Sequence, residues 1–292
     1  MDNGMPYRTL NAWCREHYGE KLYKIALDAG FTCPNRDGTL GERGCIFCSA
    51  GGSGDFAAKR TGSLRSQLDA GRALLSHKKT GSRFIAYFQA YTNTYGPADR
   101  LEELFSEALS EPDIAGISIA TRPDCLPDDV IDLLAQLNTI KPVSVELGLQ
   151  TIHQKSADYI RRGYNLACFD DAVCRLKEAG LEVVCHIILG LPGESKSDML
   201  QSVDYSCKSG INGIKLQLLH VLKNTDLEKE YRAGKFKTLT FEEYLDIIKS
   251  CVKIIPKEIV IHRLTGDGAK KDLIAPLWSA DKKKVLNAIS KL

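Results

Sequence analysis

The sequence predicts an α/β fold on a parallel sheet covered by helices on both faces, and three observations carry that prediction. Strand-like apolar runs alternate with amphipathic helical stretches about six times along the chain. Several runs are almost continuously apolar, the pattern of strands buried on both faces. The chemically unusual residues follow the ends of strands, where α/β sheets bind their ligands. Right-handed crossovers connect such units. Six of them either stay open as a doubly wound sheet or close partly into a barrel.

Residues 22–29 form the first apolar strand, and residues 63–76 follow as a helix with Leu64, Leu68, Ala70, Leu74 and Leu75 near helical spacing. Residues 83–89 are aromatic and β-branched, the composition of a strand. A helix over 98–109 carries Leu101, Leu104, Phe105 and Ala108 on one face. The third strand, 114–121, ends just before Pro123, and a helix over 128–137 leads to the fourth strand, 143–150. Helical pieces at 152–162 and 169–179 precede the near-continuous apolar strand 181–189. A helix over 197–208 and a sixth strand over 213–219 complete the alternation. Past residue 222 the pattern changes to a helix (241–254), a strand (258–264) and a basic terminal helix (281–292). The expected division is a core over 1–222 and a short α/β extension over 223–292 packed on it. No linker rich in Pro or Gly marks an independent second domain.

The 292 residues, 43% hydrophobic and 26% charged, are enough to bury a real core. A net charge of +2 means that any basic surface must arise from local clustering. No run of about 18 apolar residues exists, and the first turn-lengths carry Asp2, Arg8, Arg15 and Glu16 rather than an apolar leader. A soluble, cytoplasmic protein without membrane contact is expected.

Three of the ten cysteines cluster, in the order Gly30-Phe31-Thr32-Cys33-Pro34-Asn35-Arg36-Asp37-Gly38 and then Gly44-Cys45-Ile46-Phe47-Cys48. The C-x2-C pair lets one turn present two thiolates, and Gly38, Gly41 and Gly44 let the loop bend back to bring the third. Three thiolates suit an iron–sulfur cube whose fourth iron has no protein ligand. Two alternatives stay open on spacing alone. A structural zinc site needs four ligands, for which His17 is the nearest upstream candidate. A thioredoxin-like C-x2-C leaves Cys33 unexplained. Most of the other seven cysteines are expected to be small buried hydrophobes.

These motifs resemble the YhcC/YtqA group of radical S-adenosylmethionine (SAM) proteins, which are related to the catalytic subunit of Elongator. The resemblance runs from about Tyr7 to the C-terminus and includes Ile119-Ala120-Thr121-Arg122-Pro123-Asp124, Val145-Glu146-Leu147-Gly148-Leu149-Gln150-Thr151, Gly190-Leu191-Pro192-Gly193-Glu194 and His262-Arg263-Leu264-Thr265-Gly266-Asp267. It implies a radical SAM partial (β/α)6 barrel with Cys33, Cys45 and Cys48 holding a [4Fe–4S] cluster. SAM would chelate the open iron, and an electron from a donor such as flavodoxin or ferredoxin would cleave it to a 5′-deoxyadenosyl radical that abstracts a substrate hydrogen.

By the same resemblance, Phe47 lies near the adenine, and Gln89, Ala90 and Tyr91 stand where relatives hold the SAM amino group on a Gly-rich turn. Gln150 matches a ribose contact, Arg162 an arginine that pairs with the SAM carboxylate, and His186 a ribose-side polar position, while Ile188, Leu189 and Gly190 would pack on the adenine. Two departures stand out. The long C-x11-C-x2-C loop replaces the more common C-x3-C-x2-C, and Ala120 occupies a position where relatives often carry Glu. Glu146 and His220 are the candidate catalytic residues, each with a plain structural alternative. Arg263 and Asp267 are read as a pair pinning the C-terminal loop.

The Elongator relation implies a tRNA wobble uridine as substrate, with carboxymethylaminomethyl-uridine trimmed to aminomethyl-uridine. Acetyl transfer is not expected, because no acetyltransferase segment follows residue 292. Basic residues at Arg60, Arg65, Arg72, Lys78-Lys79, Arg161-Arg162, Lys270-Lys271 and Lys282-Lys283-Lys284 would serve phosphates if they line one rim. Tyr87, Phe88, Tyr91 and Tyr95 are candidates for a base-stacking platform or for core. The alternative substrate class is a small metabolite or tetrapyrrole, as in coproporphyrinogen dehydrogenases.

Overall fold

The computed structural model describes residues 5–52, 54, 57, 63–78, 81–266, 268 and 270–291. Seven parallel strands form its main sheet: β1 (Tyr23–Leu27), β2 (Phe84–Phe88), β3 (Ile114–Thr121), β4 (Val143–Gln150), β5 (Glu182–Leu189), β6 (Gly213–Leu218) and β8 (Val260–Arg263), neighbours in that order. A small antiparallel pair, β7 (Val221–Leu222) with β9 (Leu273–Ala275), lies apart from it. The expected strands are thus all present, β3 and β4 with the expected bounds and the others trimmed at one or both ends by one or two residues. The segment read as an extension supplies the seventh strand of the same sheet.

Every residue of β3 is buried, as a central parallel strand requires. Helices α2 (Leu64–Leu75), α3 (Ala98–Ser110), α4 (Asp128–Asn138), α6 (Leu166–Glu178), α7 (Lys196–Lys208) and α9 (Phe241–Ile254) bury apolar stripes against the sheet. Of the two readings open for Phe88, stacking platform or core, the structure gives core: its ring meets Phe105 of α3 edge-on at 4.8 Å. Side chains from β2, β3, β4, β5, β6 and β8 line one cavity on the opposite face, so the sheet curls into a partial barrel. β1 and β8 are its two edges. Thr9 bridges Ile261 and covers part of the β8 edge, leading into α1 (Leu10–Tyr18), capped by the Thr9 hydroxyl.

Several short elements went unrecognised, the two-residue β7 among them. α1 buries only Cys14, and α8 (Asp226–Arg232) buries only Leu227, so neither shows a continuous apolar stripe. β9 is three residues long. The expected helix over 152–162 is shorter, α5 (Gln154–Tyr159), because Arg161 turns left-handed at φ 58°. α10 (Lys282–Ile289) starts at its Asp281 cap. Among the scattered cysteines, Cys14, Cys125, Cys185 and Cys251 are buried, Cys168 and Cys207 half-buried, and Cys174 exposed. No helix among the described residues is long and apolar enough to cross a membrane.

Candidate functional site

The loop after β1 builds one wall of the cavity. Tight turns start it, with the Arg36 amide donating to the Cys33 carbonyl at 2.7 Å and the Cys48 amide to the Cys45 carbonyl at 3.0 Å. The buried Asn35 amide anchors the loop across the barrel, donating to the Arg161 carbonyl at 2.7 Å and reaching the Cys45 sulfur at 3.4 Å. Arg36 spans the loop to the Cys48 and Ser49 carbonyls at 3.1 and 2.6 Å. Gly44 permits this: its φ is +70°, and a Cβ there would stand 2.8 Å from the Arg36 Nε. Cys33, Cys45 and Cys48 all line the cavity, with Phe47 between the last two. Burial first, and then the neighbouring Cys48, push the Cys45 thiol up to about 11.

No three His, Cys, Asp or Glu side chains among the described residues gather closely enough for a single metal ion. A cube differs, since each thiolate bonds a different iron and the sulfurs stand well apart. His17 does not join the loop; it sits on α1, with Nδ1 donating to the Trp13 carbonyl at 2.9 Å and its ring stacked on Trp13.

Across the cavity, the end of β4 carries Gln150 and Arg162. A bulge between Gly148 and Gln150, with Gln150 at φ 63°, turns the Gln150 amide back over the strand. Gly148 makes room for it, because a Cβ there would lie 2.3 Å from the Gln150 Nε2. Arg162 is buried, its Nη1 donating to the Leu149 and Thr151 carbonyls at 3.1 and 2.6 Å and its Nε to the Tyr164 carbonyl at 3.0 Å. The Tyr164 ring lies between the Arg162 and Arg122 guanidinium groups, at 4.7 and 5.1 Å. The Arg162 Nη2 is buried with no hydrogen-bond partner among the described residues, and Arg162 lines the cavity.

The floor is a polar layer one side chain deeper. Glu146 is buried, and its Oε1 accepts from Lys24 at 2.5 Å and from Ser118 at 2.8 Å. Its Oε2 accepts from His186 Nε2 at 2.7 Å and from the Lys215 ammonium. Lys215 also donates to the Tyr87 hydroxyl at 3.2 Å, and the Gln217 amide meets His186 Nδ1 at 3.1 Å.

The charges follow from these contacts. Burial works to raise the Glu146 pKa, but Lys215, Lys24 and His186 together hold it well below the carboxylate range. Burial and the Lys215 charge lower His186 to about 4 against the pull of Glu146, so the imidazole is neutral, with Nε2 the donor and Nδ1 the acceptor. Burial lowers Lys215 to about 7, Glu146 opposing.

The cavity, about 240 Å3, therefore gathers Cys33, Cys45, Phe47, Cys48, Gln89, Tyr91, Glu146, Gln150, Arg162, His186, Ile188 and His220. It does not gather Ala90, Leu189 or Gly190. Leu189 points the other way, into the apolar core, because strand side chains alternate and Ile188 takes the inner face. Ala90 is buried with its Cβ towards Gly54, and the Gly190 amide faces the Met199 sulfur at 3.2 Å. Tyr95 leaves the platform to meet the Thr39 hydroxyl at 2.9 Å. Arg72 is absorbed by Asp69, Glu111 and Asp113, and Arg161 by Asp226. Asp267, Arg60 and Lys79 lie outside the described residues.

Lys24, Tyr87, Ser118, Lys215 and Gln217, with Asn35 and Tyr164, were not singled out from sequence in these roles. The one available signal was a lysine inside an apolar strand, Gly213-Ile214-Lys215-Leu216, where a charge is expensive unless paired.

Comparison with known proteins places the chain. Residues 37–206 match the radical SAM superfamily and residues 211–292 the radical SAM C-terminal domain. YtqA of Bacillus subtilis is 47% identical over 285 residues, 98% of this chain and 88% of YtqA. YhcC of Escherichia coli K12 is 38% identical over 262 residues, 89% of this chain and 84% of YhcC. A tRNA uridine(34) acetyltransferase of Methanocaldococcus jannaschii is 28% identical over 154 residues, 52% of this chain and 28% of that protein. The archaeal Methanocaldococcus infernus Elp3, solved with an N-terminal deletion, shares the fold with a TM-score of 0.63 at 18% identity, covering 90% of this chain and 63% of that one. The chain therefore belongs to the radical SAM superfamily, whose members bind a [4Fe–4S] cluster and SAM.

Proposed function

We propose that this protein modifies the wobble uridine of tRNA by radical SAM chemistry at the cavity between the cysteine loop and the β4 end. The observation that carries the reading is three thiols, Cys33, Cys45 and Cys48, on one cavity wall, facing a buried arginine with an open N–H. The donor set fits the cofactors. Three thiolates serve three irons, and the Arg162 Nη2 has the charge and the vacant donor that a SAM carboxylate would complete. When bound, the cluster and SAM supply a 5′-deoxyadenosyl radical, drawing one electron from a flavodoxin- or ferredoxin-type donor.

The remaining roles belong to the chain itself. Asn35 orients Cys45 through its amide, and Arg36 ties the loop closed. Gln150 and Phe47 offer ribose and adenine contacts from opposite walls, with Ile188 beside them. The floor excludes bulk water by filling the barrel interior with a bonded polar layer. The substrate class rests on the tRNA uridine(34) acetyltransferase among the relatives. Carboxymethylaminomethyl-uridine is the proposed substrate and aminomethyl-uridine the product.

Anaerobic reconstitution followed by reduction with SAM tests the first half, with release of 5′-deoxyadenosine expected. Mass spectrometry of tRNA nucleosides from a deletion strain tests the second, with carboxymethylaminomethyl-uridine expected to accumulate. An unchanged wobble-uridine profile would turn the reading to a small metabolite or tetrapyrrole.

A further inference from the structure

The floor of the cavity carries more positive charge than its own carboxylate offsets. Lys24, which is not part of the cavity lining, bonds Glu146 Oε1 at 2.5 Å and so neutralises the anion from outside. Lys215 then brings a second ammonium to the same carboxylate from the cavity side. With His186 neutral, two lysines stand against one glutamate, so the protonated form of Lys215 leaves one positive charge in excess, and burial works against that form. Buried charges persist only when paired.

Hydrogen-bond counting gives the same result by a separate route. Glu146 already accepts from Lys24, Ser118, His186 and Lys215, which fills its four lone-pair sites. Lys215 has three N–H groups; Glu146 and the Tyr87 hydroxyl take two, and the third has no hydrogen-bond partner among the described residues, the ammonium otherwise lying 4.4 Å from the Tyr87 ring centroid. Lys215 lines the same cavity as the three cysteines, so this donor and its charge face the space a reactant enters.

We propose that Lys215 is the specificity-determining residue of this cavity, its ammonium holding a carboxylate carried by the substrate. The inference rests on the function proposed above insofar as a substrate group enters beneath the cofactors, and it names that group's chemistry: a small carboxylate. The carboxymethylaminomethyl substituent belongs to this class. A bound carboxylate completes the ammonium's bonding and restores the charge that burial works against. Arg162, on a different wall, is left to the cofactor.

Two measurements on the reconstituted, SAM-loaded protein test the proposal. In the first, acetate and its neutral isostere acetamide are titrated against the 15N signal of the Lys215 ammonium, assigned with Lys215→Arg. A saturable shift with acetate alone is expected. No acetate-specific response overturns the subsite. In the second, affinities are compared for 5-carboxymethylaminomethyluridine and its carboxamide. The wild type should prefer the carboxylate by about tenfold or more, as for loss of one charged hydrogen bond. Lys215→Met should abolish that preference, Lys215→Arg should keep most of it, and SAM affinity should be unchanged in both. Preference retained in Lys215→Met, or SAM binding lost with it, overturns the assignment. Should Lys215→Met fail to fold, Lys215→Gln, which keeps an N–H donor beside Glu146 but carries no charge, replaces it and should likewise abolish the preference. An acetate response with no nucleoside discrimination in the wild type leaves the subsite standing and sinks the wobble-uridine reading instead.

Discussion

At the rim of the cavity, Cys33, Cys45 and Cys48 come from sixteen consecutive residues of one loop. At the floor, Lys24, Tyr87, Ser118, Glu146, His186 and Lys215 come one each from six strands. The rim is held by turns and a few long-range anchors such as Asn35, the floor by the register of the sheet itself. A loop can change its ligand spacing without disturbing the barrel, and the C-x11-C-x2-C spacing is such a change. A layer shared by six strands cannot, because moving one side chain unbalances a buried charge. The rim is therefore where the cofactor chemistry is mounted, and the floor is where stability and selectivity are coupled.

Substitutions at the two regions should separate these properties. The largest effect is expected from Cys48→Ala, which should lose the brown cluster absorbance and 5′-deoxyadenosine formation to below detection while the far-UV circular dichroism is unchanged. Retained SAM cleavage would break the rim's assignment. Glu146→Ala should do the reverse: it strands Lys215 and Lys24 and should cost about 3–5 kcal/mol in urea unfolding, as for a broken buried ion pair. A loss below about 1 kcal/mol would mean that Glu146 is not the carboxylate that holds the two floor lysines. Arg162→Ala should weaken SAM binding by about 10- to 100-fold, as for loss of a charged hydrogen bond, with the cluster retained; calorimetry on the loaded protein reads this.

Asn35→Ala removes the amide that reaches the Cys45 sulfur at 3.4 Å. Since hydrogen bonds to the sulfurs help set cluster potentials, the reduction potential should move to more negative values in an electron paramagnetic resonance titration. An unmoved potential would leave Asn35 as a loop anchor only. The smallest effect should come from Arg72, on the outer surface. Its bonds to Asp113 hold that carboxyl below its usual range, outweighing burial. The stabilisation is present above the unfolded value of about 3.9 and is lost as the pH falls through the lower folded value. Arg72→Met should cost less than about 1 kcal/mol at neutral pH, and the difference should vanish in acid. A cost matching that of Glu146→Ala would erase the contrast between surface and floor charges.

The alternation of apolar runs and helical stretches determined a parallel α/β sheet but left a doubly wound order and a partial barrel both open; the sequential strand order was decided by the tertiary structure. The cysteine spacing marked the metal-binding loop, because turn geometry is local, but it left iron–sulfur, zinc and dithiol readings open; the family motifs along the rest of the chain selected the cluster. Strand alternation also explains why Ile188 faces the cavity while Leu189 packs in the core, although both were first grouped together. α1 and α8 escaped notice because their burial depends on what packs against them rather than on their own periodicity. Only the tertiary structure decided that Lys24 and Lys215, 191 positions apart, share Glu146. Nothing local to either lysine encodes that meeting. It depends on how the strands curl, and a curl is a property of the whole sheet.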